Sequence, residues 1–165
     1  MTLRTISEGF NMIKKYEVHS AEETECIGKS LAKALDDAGI KRAFIALFGE
    51  MGVGKTAFTR GFASHFDITA VKSPTYTVLN EYRGKAPIHH FDFYRITDGD
   101  DLYSIGFDDL VDAPGYCIGE WSENIVDFLP DDAIRIGISR VSNDSEESLA
   151  NARVIEINAD VSFDL

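Results

Sequence analysis

Apolar positions along the chain change their spacing several times, and each change marks an element. Ile27, Leu31, Leu35 and Ala38 fall at helical spacing behind Ser20-Ala21-Glu22-Glu23, a capping box in which the Ser20 side chain serves an orphan N–H and Glu23 reaches back. A first helix over about 21–38 is predicted, with Gly39 ending it. The unbroken apolar run 43–48 then reads as a buried strand. Beyond a glycine-rich interval, Phe58, Phe62 and Phe66 restore the helical spacing and predict a helix to about residue 66. The stretch 71–82 begins as a loop, because Pro74 disfavours helix at Ser73, and becomes β-branched and aromatic enough for a strand. A turn at 83–86 and a returning strand over 87–94 complete a predicted hairpin. Residues 98–110 read as one short acidic helix, 116–119 as a short strand ending at Glu120-Trp121, and 124–129 as a short helix stopped by Pro130. Strands over 134–141 and 153–158, joined by the polar run 143–147, finish the pattern. The alternation predicts an α/β fold with a mostly parallel central sheet, an inserted antiparallel hairpin and an antiparallel C-terminal edge.

Composition narrows this. A chain of 165 residues that is 44% hydrophobic is one ordinary domain, able to bury a core without staples. Residues 1–16 carry Arg4, Glu8, Lys14 and Lys15 and hold no long apolar core, so neither a signal peptide nor a membrane span is expected, and the protein is expected in the cytoplasm. Cys26 and Cys117 lie far apart with no Cys/His cluster, which argues against a disulfide framework and structural zinc; both are expected to be plain buried thiols. The net charge of −12 is uneven: residues 96–134 hold eleven acids and no Lys or Arg, leaving 16 basic against 17 acidic residues elsewhere. Such a stretch repels phosphate backbones, so a nucleic-acid partner would have to be held by another protein. It is either a solvated face or a docking surface for a basic partner.

The glycine-rich interval is Gly49-Glu50-Met51-Gly52-Val53-Gly54-Lys55-Thr56, a complete G-x-x-x-x-G-K-[ST] phosphate loop between a strand and a helix. By chance such a pattern arises in roughly one chain of this length in two hundred, and the strand–loop–helix context lowers the odds further. The glycines let successive N–H groups point inward at a helix start whose dipole favours an anion. Lys55 can then reach the β- and γ-phosphates of a nucleoside triphosphate, and the Thr56 hydroxyl is placed for Mg²⁺. Phosphoryl transfer also needs a carboxylate at the end of a neighbouring strand, and Asp92 and Glu120 are the two that qualify. Ser73, Thr75 and Thr77 form a hydroxyl-rich loop where other P-loop proteins keep a γ-phosphate switch. His89 and His90 read as hydrogen-bonded strand residues rather than metal ligands, and Trp121 as core, base-stacking surface or partner contact. No N-K-x-D base-reading motif is present, which disfavours GTP.

GEMGVGKT at 49–56, SPTYTVLNEY at 73–82, HFDFYR at 90–95 and the Glu120-Trp121 pair, in this order and at these distances, resemble the bacterial TsaE family, small P-loop ATPases of tRNA threonylcarbamoyladenosine (t6A) synthesis. The resemblance covers about 20–158 and leaves 1–19 as an N-terminal extension. It implies a P-loop NTPase-like three-layer fold that binds ATP and Mg²⁺ through the loop and Ala57, hydrolyses ATP slowly, and works with partners resembling TsaB and TsaD on adenosine 37 of tRNA, touching tRNA only through them. Lys55, Asp92, Glu120 and Thr75 would be the catalytic residues, and Thr56, Asp92 and Glu120 would surround the metal. Ser73, Thr75 and Thr77 would be the switch-like loop, Trp121 would lie by the nucleotide, and Thr24 and Arg153 are further, weaker matches to nucleotide contacts. Three departures stand out. Ala57 replaces a second Thr, so only its backbone N–H can serve. Met51 and Val53 replace Leu and Ala inside the loop. Gly119 precedes Glu120 where an apolar residue is usual, which bears on where that carboxylate sits. Two other readings remain open on the residues alone: a small-molecule kinase, and a nucleotide-gated binding module with negligible turnover.

Overall fold

A computed structural model of the chain describes residues 12–141 and 151–160, so the polar connection expected over 143–147 lies outside the described residues. Seven strands form one sheet: β1 (Met12–Val18), β2 (Arg42–Phe48), β3 (Leu79–Arg83), β4 (Pro87–Asp92), β5 (Gly115–Glu120), β6 (Ile134–Arg140) and β7 (Arg153–Ala159), in the spatial order β1-β7-β6-β2-β5-β4-β3. The central strands β6, β2, β5 and β4 are mutually parallel. β3 closes an antiparallel hairpin on β4, and β7 and β1 make the antiparallel edge. The hairpin is therefore part of the main sheet, since its second strand is also the parallel neighbour of β5.

Both faces are covered, which is why β2 reads as an unbroken apolar run. Phe44, Ile45, Ala46 and Leu47 are all buried, and they divide between two cores. On one face α1 (Ala21–Asp37) and α2 (Lys55–Ser64) bring Leu31, Leu35, Phe58 and Phe62 onto Ile45, Leu47, Ile118 and Ile136. On the other, α3 (Gly99–Ser104), α4 (Phe107–Asp112) and a 3₁₀ segment (Ser122–Phe128) bring Leu102, Phe107 and Ile125 onto Phe44, Phe91 and Phe93. The two helices of the first face cross with almost no gap. A Cβ added at Gly61 would lie 1.9 Å from the Glu25 carbonyl oxygen, so only glycine fits there.

The cap of α1 follows the sequence closely: Glu23 N–H donates to Ser20 Oγ at 3.1 Å, and His19 N–H, one residue before the cap, donates to Glu23 Oε2 at 2.8 Å. Elsewhere the structure corrects the pattern. The single acidic helix expected over 98–110 is two short helices, because Gly106 turns at φ +70° between them. The helix expected at 124–129 is a 3₁₀ segment beginning at Ser122, with Ile125 outside helical φ/ψ. Cys26 is exposed on the outer face of α1 rather than buried, while burial pushes the Cys117 thiol up to about 12. β1 arises within the stretch read as an extension, held by pairing with β7 and by Lys15 on Glu156 at 2.7 Å. Among the described residues no helix is long and apolar enough to cross a membrane.

Candidate nucleotide site

β2 ends at Phe48 and hands the chain to the loop, where Gly49, Gly52 and Gly54 take φ of +144°, +75° and +119°. These values favour glycine, and at Gly49 the space does too: a Cβ there would lie 2.4 Å from the Ile138 carbonyl oxygen of β6. Gly54 caps α2 without a side chain, so the orphan N–H groups of the first turn meet no competing capping oxygen. Met51 projects outward at the tip while Val53 is buried.

Lys55 opens α2 and is only 5% exposed, with Nζ donating to the carbonyl oxygens of Gly49 and, at 2.9 Å, Glu50. The Trp121 ring covers the ammonium at 4.2 Å from its centroid, and Tyr94 packs on that ring at 5.1 Å. Burial lowers the Lys55 pKa from its ordinary value, opposed by the charges of Glu120, Glu123 and Asp92. Trp121 itself is held at φ +58°, an uncommon conformation for a bulky residue, at the turn out of β5.

The two strand-end carboxylates lie side by side. Asp92 and Glu120 are register partners at the ends of the parallel strands β4 and β5, 4% and 5% exposed. Thr56 Oγ1 donates to Glu120 Oε1 at 2.9 Å, and Asp92 Oδ1 accepts from Tyr94 N–H at 2.9 Å. With its one hydrogen on Glu120, the Thr56 hydroxyl can only accept elsewhere, as a cation ligand must. The donor set is hydroxyl and carboxylate oxygen, the hard ligands that suit Mg²⁺. Among the described residues no cluster of three or more His, Cys, Asp or Glu could hold a metal alone. One or two carboxylates completed by substrate phosphates is the usual Mg²⁺ arrangement, and the site fits it.

Thr24, buried in the first turn of α1, turns its Cγ2 towards Gly54 and donates to Ser20 O at 3.2 Å. Arg153 begins β7 directly opposite Arg140, and burial followed by the neighbouring Arg140 charge lowers its pKa. Ala57 is buried in α2. The hydroxyls of Ser73, Thr75 and Thr77 are not joined to the centre: Ser73 pairs with Thr75 at 2.7 Å, and Thr77 donates to Asn80 Oδ1 at 2.7 Å. What ties that loop to the site is its end, where Asp92 N–H donates to Val78 O at 2.8 Å.

Two residues, Glu123 and Arg140, escaped sequence reasoning, and His90, expected as a hydrogen-bonded strand residue, is one with a partner that the sequence did not indicate. Glu123 Oε1 accepts from Gly49 N–H at 2.7 Å, His90 Nε2 lies 2.9 Å from Glu120 Oε1, and the Arg140 guanidinium lies beside Gly52. For Arg140 the available signal was its place at the far end of β6, which runs past the loop. For Glu123 nothing distinguished it from its acidic neighbours.

Residues 18–149 match the family described as Threonylcarbamoyl adenosine biosynthesis protein TsaE. The chain belongs to the TsaE family. It is 36% identical over 135 residues to the tRNA threonylcarbamoyladenosine biosynthesis protein TsaE of Bacillus subtilis, covering 81% of this chain and 82% of that one. It is 38% identical over 115 residues to the protein of the same name from Haemophilus influenzae, covering 67% and 72%. The crystal structure of Bacillus subtilis YdiB superposes with a TM-score of 0.67 at 32% identity, over 90% of this chain and 86% of that one. Against the family pattern, Gly119 has a local explanation. A Cβ there would lie 2.4 Å from Phe93 Cε2, so the glycine makes room for the ring that fills the second core, and Glu120 still reaches Thr56.

Proposed function

We propose that this TsaE family member binds ATP with Mg²⁺, hydrolyses it slowly by itself, and serves t6A formation at adenosine 37 of tRNA in the cytoplasm, together with partners resembling TsaB and TsaD. One observation carries the reading: Lys55 and Thr56, Asp92 and Glu120 meet at one point at the ends of β2, β4 and β5, where open α/β sheets bind ligands. The relatives are named for t6A biosynthesis, which supports the pathway.

In this reading the loop N–H groups and the Lys55 ammonium hold the β- and γ-phosphates, exchanging the carbonyls of Gly49 and Glu50 for phosphate oxygens. Thr56, Asp92 and Glu120 would hold Mg²⁺, which when bound neutralises phosphate charge that develops in the transition state. Glu120 and Asp92 orient the attacking water, while Trp121 and Tyr94 keep solvent from Lys55. Catalysis is positioning and charge neutralisation, with no covalent intermediate on the protein. The acidic run, which supplies α3, α4 and the 3₁₀ segment, supports contact with tRNA only through partners.

Phosphate release measured for the protein alone, with candidate acceptor hydroxyl compounds, and with the partner complex tests the reading. Slow release that rises with the partner complex is expected. Transfer to a small acceptor would replace the reading with a kinase, and ATP held without turnover in any mixture would reduce it to a nucleotide-gated binding module.

A further inference from the structure

Strand alternation turns Ile88, His90 and Asp92 of β4 to the face that carries α2, and Phe91 and Phe93 to the other. On β5, Tyr116, Ile118 and Glu120 share the α2 face. Asp92 is opposite Glu120 and His90 is opposite Ile118, so His90 is the diagonal neighbour of Glu120 on the same surface. His90 is fully buried, 0% exposed, and its Nε2 lies 2.9 Å from Glu120 Oε1. That oxygen also accepts from Thr56 Oγ1 at 2.9 Å. An ionised carboxylate has no hydrogen to give, so Nε2 carries the proton and donates. Both acceptor positions of Oε1 are then filled.

The other ring nitrogen explains why this is more than packing. His90 Nδ1 is buried with no hydrogen-bond partner among the described residues. A buried polar atom left unpaired costs about 1–3 kcal/mol, a cost that an apolar side chain of similar size would avoid. What the imidazole adds, and a leucine would not, is the bond to Glu120.

We propose that His90 is a positioning residue for hydrolysis: with Thr56 it saturates Glu120 Oε1, fixes the carboxylate's rotation, and leaves Oε2 as the oxygen that Glu120 presents towards the phosphate loop. The inference rests on the ATP-hydrolysing reading of the site. Residues that orient a ligating carboxylate in this way carry about 10–100-fold in metal affinity or activity.

Three substitutions separate positioning from packing. The amide of His90→Gln extends to where Nε2 stands and can donate to Glu120; His90→Asn reaches only to the Nδ1 position; His90→Leu has no donor. Trp121, the one tryptophan in the chain, packs on Lys55 and supplies a fluorescence signal for ATP binding without and with Mg²⁺. We expect all three variants to bind ATP in EDTA within about threefold of wild type, and His90→Leu to melt at or above the wild-type temperature. His90→Leu and His90→Asn should need about tenfold more Mg²⁺ for the half-maximal signal and release phosphate about 10–100-fold more slowly, with His90→Gln within a few fold of wild type on both counts. If His90→Leu does not fold, the Gln and Asn pair decides. Equal behaviour of Gln and Asn, or a folded His90→Leu with wild-type Mg²⁺ dependence and turnover, overturns the proposal. A wild-type protein with no saturable ATP signal and no phosphate release would instead overturn the underlying reading, and is recognised without any variant.

Discussion

Replacing Gly119 by alanine should destabilise the protein and slow hydrolysis together. The added Cβ would lie 2.4 Å from Phe93 Cε2 and 3.1 Å from Ser122 Oγ, whereas non-bonded carbons settle at about 3.5–4.0 Å, so something must move by about 1 Å. Phe93 cannot yield cheaply. Its ring is fully buried and wedged against Phe91 at 5.3 Å, Phe107 at 5.8 Å and Phe44 at 6.5 Å. Overpacking of this kind costs about 1–3 kcal/mol. The alternative is for the end of β5 to shift, which carries Glu120 away from Thr56 and His90, both held at 2.9 Å. With a urea m-value of about 2 kcal/mol/M, a loss of about 2 kcal/mol moves the unfolding midpoint down by about 1 M. Urea titration followed by circular dichroism gives the stability, and phosphate release on the same preparation gives the turnover. A midpoint within about 0.2 M of wild type with unchanged hydrolysis would refute the reasoning about Gly119, because it would mean that neither the ring nor the strand end is under constraint.

Lys55→Ala should weaken ATP binding by about 10- to 100-fold in calorimetry, the usual worth of charged hydrogen bonds, while Thr56→Ala should chiefly remove the dependence on Mg²⁺; unchanged affinity in folded Lys55→Ala would remove the site assignment. Asp92→Asn and Glu120→Gln should keep most of the ATP affinity and lose at least about tenfold in phosphate release with the partner complex present; wild-type rates in both would mark them as ordinary acids. The isolated protein should show no saturable binding to tRNA at near-physiological salt, and its docking to a partner complex should weaken as salt rises; micromolar binding to tRNA without partners would mean the acidic face has been misread.

What the sequence made legible were features written in contiguous residues. The loop 49–56 carries its own geometry in its glycines, the cap of α1 sits in four successive residues, and β2 is an apolar run because both its faces are covered. Asp92 and Glu120 could be singled out because each stands at the end of a strand, Asp92 after the alternation of the second hairpin strand and Glu120 after the short apolar run 116–119. The rest depended on register. That His90 reaches Glu120, or that Asp92 faces it, follows from which residues of β4 and β5 stand opposite each other, and no single strand contains that information. β1 escaped because Met12–Val18 has only one buried residue and is held by the chain's last described strand. Gly106 lies inside the span that reads as one acidic helix, and its positive φ, which the acidic pattern does not encode, splits that helix in two. Cys26 was expected to be buried on residue type alone, yet the face of α1 that meets the sheet is set by Leu31 and Leu35.

Depleting the chain from its own cells while expressing Lys55→Ala in its place, then quantifying t6A in bulk tRNA by mass spectrometry, joins the phosphate loop to the modification in one measurement. With wild-type protein supplied, t6A should stay at its normal level; with Lys55→Ala at equal abundance it should fall as far as it does with nothing supplied. Normal t6A in the Lys55→Ala cells, or normal t6A after depletion alone, would contradict the claim that ATP turnover at this site serves tRNA modification.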